Sequence, residues 1–135
     1  MDEPVAALLA VLQDYFDGLY DADIDKLTGI YHERVRLFCP TDPELVELDL
    51  PTYLEVVKNR PSPASRHDER FDRIVELSVP TATTAHARVE CAYLPKRFTD
   101  DLTLVKTPGG WKIIAKVWHY EIPEWSASSR QQQSG

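Results

Sequence analysis

No stretch of this sequence stays apolar for the ~20 residues that a membrane helix needs. None gathers Lys and Arg, or interleaves them with aromatic residues, as a nucleic-acid surface does. Glycine is scarce, and there is neither a Gly-rich phosphate loop nor a G-x-S-x-G nucleophile elbow. Cysteine occurs twice, at Cys39 and Cys91, with no CxxC or Cys/His spacing, which argues against structural zinc. No two histidines stand in HxH or HxxxH spacing. The two cysteines leave two readings open: buried thiols in a reducing cytosol, or a Cys39–Cys91 disulfide. The opening MDEPVAALLAVLQDYF carries acids where a signal peptide needs bases. These absences lead us to expect a cytoplasmic protein with no metal, no cofactor, and no nucleic-acid or membrane partner.

What is present is globular. The 135 residues are 43% hydrophobic and 27% charged, with a net charge of −7 spread along the chain. Pro4 suits a first helical turn, and Val5, Leu8, Leu9, Leu12, Tyr15, Phe16 and Leu19 follow helical spacing, which predicts one long helix to about Tyr20. Asp23 caps a second, shorter helix burying Ile24, Leu27, Ile30 and Tyr31. Val35 to Cys39 and Leu45 to Leu48 read as short strands around a Pro40–Pro43 turn. Asp49-Leu50-Pro51 opens a third helix, which Asn59 to Pro63 ends. Ala64 to Glu69 reads as a surface connection. Four long strands follow: 71–79, 85–94, 98–106 and 111–120. Helices ahead of a meandering sheet mean an α+β fold. A single domain over 1–125 is expected, with 126–135 as a flexible polar tail.

The final hairpin, FTDDLTLVKTPGGWKIIAKVWHYE, is the most informative part. A Gly109-Gly110 turn puts Asp100 opposite His119, and a Pro108-Gly109 turn puts them on a diagonal. Both registers group Leu102, Leu104, Ile113, Ala115 and Val117 on one face. The register between them mixes that face with polar residues and is disfavoured. Trp111 and Trp118 then fall on opposite faces. The second face, with Ile114, Trp118 and Lys116, is apolar enough to meet another subunit, so a homodimer through the face carrying Ile114 and Trp118 is expected.

These features resemble the nuclear transport factor 2-like superfamily, and within it the bacterial group labelled "putative lumazine-binding". The resemblance rests on YFDGLYDADIDKLTGIYH, YLEVVKNRPSP and the hairpin, and runs from about Leu8 to Tyr120. It implies a cone: three helices packed on a curved, mostly antiparallel β-sheet, dimerising by sheet packing. Relatives include steroid isomerases, dehydratases, polyketide cyclases and non-catalytic binding modules, and the fold does not choose among them.

The expected function is binding of a small hydrophobic or aromatic molecule in that pocket, with cofactor-free isomerisation, dehydration or cyclisation as the enzymatic form. A non-catalytic ligand-binding or interaction module is the alternative. Asp100 and His119 are the candidate proton-transfer pair, because a carboxylate sets an imidazole's tautomer and basicity. A cross-strand polar pair holding register is the plain structural account. Tyr15 is the candidate orienting donor, followed by Tyr31. Phe16, Tyr31, Tyr53, Cys91 and Val117 are the candidate ligand contacts. Each tyrosine also reads as an ordinary amphipathic core residue. His32, His67 and His86 read as surface groups.

Overall fold

The computed structural model describes residues 3–123. Among these residues three α-helices and six strands follow the expected order: α1 (Glu3–Asp21), α2 (Ile24–Ile30), β1 (Tyr31–Cys39), β2 (Val46–Asp49), α3 (Leu50–Lys58), β3 (Asp72–Ser78), β4 (Thr84–Tyr93), β5 (Lys96–Thr107) and β6 (Gly110–Glu121). A short 3-10 turn, Ala64–Arg66, interrupts the stretch expected to be loop. The polar tail from Ser126 lies outside the described residues.

Local chemistry explains the helix boundaries. The Asp23 carboxylate accepts from the backbone N–H of Lys26 at 3.1 Å, and Asp49 does the same for Thr52 at 2.9 Å. Each satisfies a donor that the first helical turn leaves unpaired. Tyr31 belongs to β1, not to the end of the second helix as its spacing suggested.

The strands form one sheet in the order β2-β1-β6-β5-β4-β3. Every neighbouring pair is antiparallel except β1 and β6, which run parallel. One hydrophobic core lies between the helices and the sheet. Leu8, Leu12, Tyr15 and Phe16 of α1 pack there with Val35 and Leu37 of β1, Val89 of β4, Leu102 and Leu104 of β5, and Ile113 of β6. Cys39 and Cys91 are both buried and both free, so no disulfide joins them.

The hairpin register combines two of the patterns read from its sequence. The turn is Pro108-Gly109, with Thr107 paired to Gly110 and Leu104 to Ile113. Proline holds φ near −65°, which closes off the primed turns that tight hairpins favour. Gly110 takes the positive φ, +107°, at the start of β6. Past Ile113 the ladder slips by one residue: Thr103 pairs with Ala115, Leu102 with Lys116, Asp100 with Trp118 and Thr99 with His119. This β-bulge at Ile114 reverses which residues of β6 face the core. Trp111 and Ile113 face inward before it, Lys116 and Trp118 after it.

The bulge corrects three sequence expectations. Ala115 and Val117 leave the core face, and Val117 is exposed. His119 moves to the outer face beside Thr99, away from Asp100. Trp118 moves inward and shares its side with Trp111, so it no longer stands with Ile114 on an outer interface.

Gly18 lets α1 approach Leu27 of α2 closely. A Cβ there would lie 2.7 Å from Leu27 Cδ2 and 2.8 Å from Leu27 Cγ, and Leu27 is fully buried. Helix propensity alone makes Gly→Ala favourable by about 1 kcal/mol, but overpacking a filled core costs about 1–3 kcal/mol. Gly18→Ala is therefore expected to lower stability by up to about 2 kcal/mol. A urea unfolding midpoint equal to or above that of the parent protein would contradict this packing.

Candidate functional site

Where β5 and β6 pass beneath α1 and α3, the inner face of the sheet turns from apolar to charged. Asp100 of β5 is 1% exposed and Lys116 of β6 is 5% exposed. Charges this deep are tolerated only when paired and hydrogen-bonded. The Lys116 ammonium lies 3.9 Å from Asp100 Oδ2. It donates to the Tyr53 hydroxyl of α3 at 3.0 Å. The Tyr15 hydroxyl of α1 donates to Asp100 Oδ2 in a short contact. The Cys91 thiol of β4 lies 3.5 Å from the same oxygen. Lys116 also stands over the rings of Tyr53 (4.7 Å), Tyr15 (5.0 Å) and Trp118 (5.6 Å), where a cation is attracted to the π faces.

Tyr31 completes the aromatic layer. Its ring meets those of Tyr15 and Tyr53 edge-on, at 6.4 and 5.8 Å. Among the described residues its hydroxyl has no hydrogen-bond partner, and neither does Asp100 Oδ1, although both atoms are buried.

Titration follows from this setting. Burial pushes the Tyr15 phenol well above its ordinary value, and the neighbouring Asp100 charge adds to the effect. Burial does the same to Tyr31. The Cys91 thiol is raised by burial and by Asp100, which makes it a poor nucleophile at neutral pH. Burial pulls Lys116 down, but Tyr53 and Asp100 together outweigh it, and the ammonium titrates above its ordinary value. Lys116 is thus a fixed cation, not an amine nucleophile.

A pocket opens above this group, with a cavity volume of about 110 Å³. Asp100, Lys116, Cys91 and Tyr53 lie on its inner side, and Phe16, Phe98 and Trp118 supply apolar walls. The mouth is framed by Arg60, Tyr93, Asp68 and Asp72. The segment from Arg60 to Arg70 borders it through Arg60, Pro63, Asp68 and Glu69. Arg60 and Arg66 stack on the Tyr93 ring at 4.1 and 4.3 Å, and the Tyr20 hydroxyl donates to the Asp68 carbonyl at 2.6 Å. No cluster of three or more metal-ligating side chains occurs among the described residues.

Of the residues singled out from sequence, Phe16, Tyr53, Cys91 and Asp100 line this pocket, and Tyr15 and Tyr31 lie directly behind it. His119 and Val117 do not reach it. The exposed His119 ring instead bonds Thr41 Oγ1 at 2.8 Å, pinning the β1–β2 turn to the end of β6. Lys116 and Trp118 were missed as pocket residues. An aromatic-rich strand carrying a lysine two residues before a tryptophan was the available signal, but only the bulge turns both inward.

Over residues 3–119 the chain matches the sequence profile of the family described as "Putative lumazine-binding". The chain belongs to this family. No curated protein matches it by sequence. Among solved structures it is similar to a nuclear transport factor 2-like protein of unknown function from Silicibacter pomeroyi DSS-3, at 23% identity and a TM-score of 0.78, covering 87% of this chain and 95% of that one. It is similar also to one from Shewanella baltica OS155, at 24% identity and 0.77, covering 87% and 93%. A ketosteroid isomerase-like protein from Erwinia carotovora atroseptica SCRI1043 aligns at 18% identity and 0.70, covering 91% and 100%. At these identities the likeness shows a shared nuclear transport factor 2-like fold. No helix among the described residues is long and apolar enough to cross a membrane.

Tyr15, Tyr31, Cys91 and Lys116 all hold their protons longer when folded than when unfolded. A raised folded pKa gives stability that is complete below the unfolded pKa and is lost as pH rises past it. The unfolded values are about 8.5 for Cys, 10 for Tyr and 10.4 for Lys. Their contribution to stability should therefore be flat up to about pH 8.5 and then fall progressively as pH rises through the unfolded values toward the raised folded ones. Tyr15→Phe should shallow that fall, while costing about 1–3 kcal/mol at neutral pH by stripping Asp100 of its donor. Urea midpoints across this range, alongside tyrosinate absorbance, test both slopes. An alkaline fall as steep in Tyr15→Phe as in the parent would be evidence against the buried phenol.

Proposed function

We propose that this protein binds a small, largely apolar carbonyl compound in the conical pocket between the helices and the sheet, and transfers a proton on it without a cofactor. The buried Asp100–Lys116 pair beneath an apolar cleft carries this reading. Asp100 is the base. Its Oδ1 takes a proton from the carbon beside the carbonyl, the C–H electron pair becomes a C=C bond, and the carbonyl π pair moves onto oxygen. Lys116 holds the resulting negative charge, with Tyr53 orienting the ammonium. In a site closed to water such a fixed charge acts with little screening. Returning the proton to a different carbon completes an isomerisation. Expelling a β-hydroxyl from the same enolate, with the proton on Asp100 passing to it so that it leaves as water, completes a dehydration; attack of the enolate carbon on a second carbonyl, whose oxygen takes that proton, completes a cyclisation. Tyr15 holds Asp100 in place. His119 has no part in this scheme.

A second reading is favoured by how fully Asp100 and Lys116 are buried against each other. Such a sealed pair suits a module that recognises a ligand and does not turn it over. Deuterium uptake from D2O by a panel of small ketones, followed by NMR, separates the two. Catalysis predicts uptake above the buffer rate, falling about 10²–10⁴-fold in Asp100→Asn. Ketones that bind yet exchange no faster than in buffer leave the binding module standing and remove the enzyme.

The homodimer expectation is retained here with a corrected surface. Phe38 pairs with Val117 across β1 and β6, and with Ile114 and Ala115 they leave an apolar patch on the outer face, where Val117 is 40% exposed. A second copy covering this patch would bury it. Sedimentation should then show a dimer that Val117→Glu converts to monomer. A monomeric parent protein would end the proposal.

A further inference from the structure

The pocket floor has a specific imbalance of hydrogen-bond donors and acceptors. Asp100 Oδ2 receives the Tyr15 hydroxyl and the Cys91 thiol, whereas Oδ1 receives nothing among the described residues. A buried carboxylate oxygen without a donor costs about 1–3 kcal/mol or more. The Lys116 ammonium has three N–H groups. One goes to Tyr53. Asp100 Oδ2, at 3.9 Å, is beyond hydrogen-bond distance, and the remaining N–H groups have aromatic faces around them. Asp100 and Lys116 both line the same small cavity, so an acceptor without a donor and an ammonium with N–H groups to spare belong to neighbouring side chains of its lining.

Charge narrows what fits. An anion at the floor meets the Asp100 carboxylate, and a cation meets the Lys116 ammonium. A neutral group that is itself both donor and acceptor meets complementary partners on both sides. Phe16, Phe98 and Trp118 wall the cavity with flat apolar surface, and its volume of about 110 Å³ admits a single ring.

Resting on the pocket reading above, we infer that the site recognises a neutral single-ring compound through an edge that pairs a hydrogen-bond donor with an adjacent carbonyl, the donor bound at Asp100 Oδ1 and the carbonyl at Lys116 Nζ. A ring N–H beside C=O and a hydroxyl β to a ring ketone share this chemistry. An unpartnered buried group also makes the selectivity steep, because a ligand lacking the donor leaves the carboxylate unsatisfied.

Matched probes test it by NMR or calorimetric titration of the full chain: 2-pyridone against N-methyl-2-pyridone, and 3-hydroxycyclohexanone against its methyl ether. At least one parent probe should bind about tenfold or more tighter than its methylated partner. In Asp100→Asn the side-chain oxygen stays with Tyr15 and Cys91, since both are donors. The amide NH2 then takes the place of Oδ1, and the preference should vanish or invert. Equal binding of parent and methylated probes overturns the inference while leaving the pocket as a binding site. A preference that survives in Asp100→Asn overturns the role given to Asp100. Failure of every probe to bind removes the pocket reading along with it. If Asp100→Asn does not fold, as judged by circular dichroism, the ratio in the parent protein alone decides.

Discussion

A carboxylate and an ammonium group share the interior of this protein, and the elements around them supply partners to each while leaving Asp100 Oδ1 without a donor among the described residues. Asp100 and Lys116 come from adjacent strands, Tyr15 from the first helix, Tyr53 from the third, and Cys91 from the next strand over. Removing one charge would leave the other buried and alone, which in buried pairs typically costs about 3–5 kcal/mol. A well-packed apolar pair in the same place would often be as stable or more so. Stability is therefore a weak explanation for the pair.

The β-bulge at Ile114 makes the pair geometrically available. Without it, the hairpin would continue in the register set by its Pro108-Gly109 turn, and Lys116 and Trp118 would face outward. With it, the turn half of the hairpin keeps an apolar inner face, while the far half presents Asp100, Lys116, Trp118 and Phe98 to the helices. One inserted residue thus divides a single hairpin into a packing half and a pocket half. Bulges commonly re-aim side chains in this way beside functional sites.

Much of the fold was legible because the relevant signals are local. Asp23 and Asp49 announce their helices by capping chemistry, α1 by its apolar spacing, and β4 by strict alternation of Ala85, Ala87, Val89 and Cys91 with polar neighbours. Tyr15, Phe16, Tyr53, Cys91 and Asp100 were readable as inward-facing for the same reason. His119, Val117, Lys116 and Trp118 were not. The register argument required the inner face to be uniformly apolar, and so rejected the pairing that the far half of the hairpin adopts. That requirement holds where an inward polar residue has no partner. It fails here because Lys116 and Asp100 are partners to each other.

By itself, then, the sequence determined the α+β class, the order and approximate limits of the helices and strands, and the apolar side of each element, because period, caps and turns act over a few residues. Tertiary structure alone decided which face the end of β6 presents, and hence that Asp100 is joined to Lys116 and Tyr15 and not to His119. Register past a bulge depends on the summed packing of two helices and four strands against one face. No window of neighbouring residues contains that sum. The hairpin looked like an apolar stripe ending in an Asp/His pair. Folded, it is a stripe ending in a buried ion pair, with the histidine on the other side of the sheet.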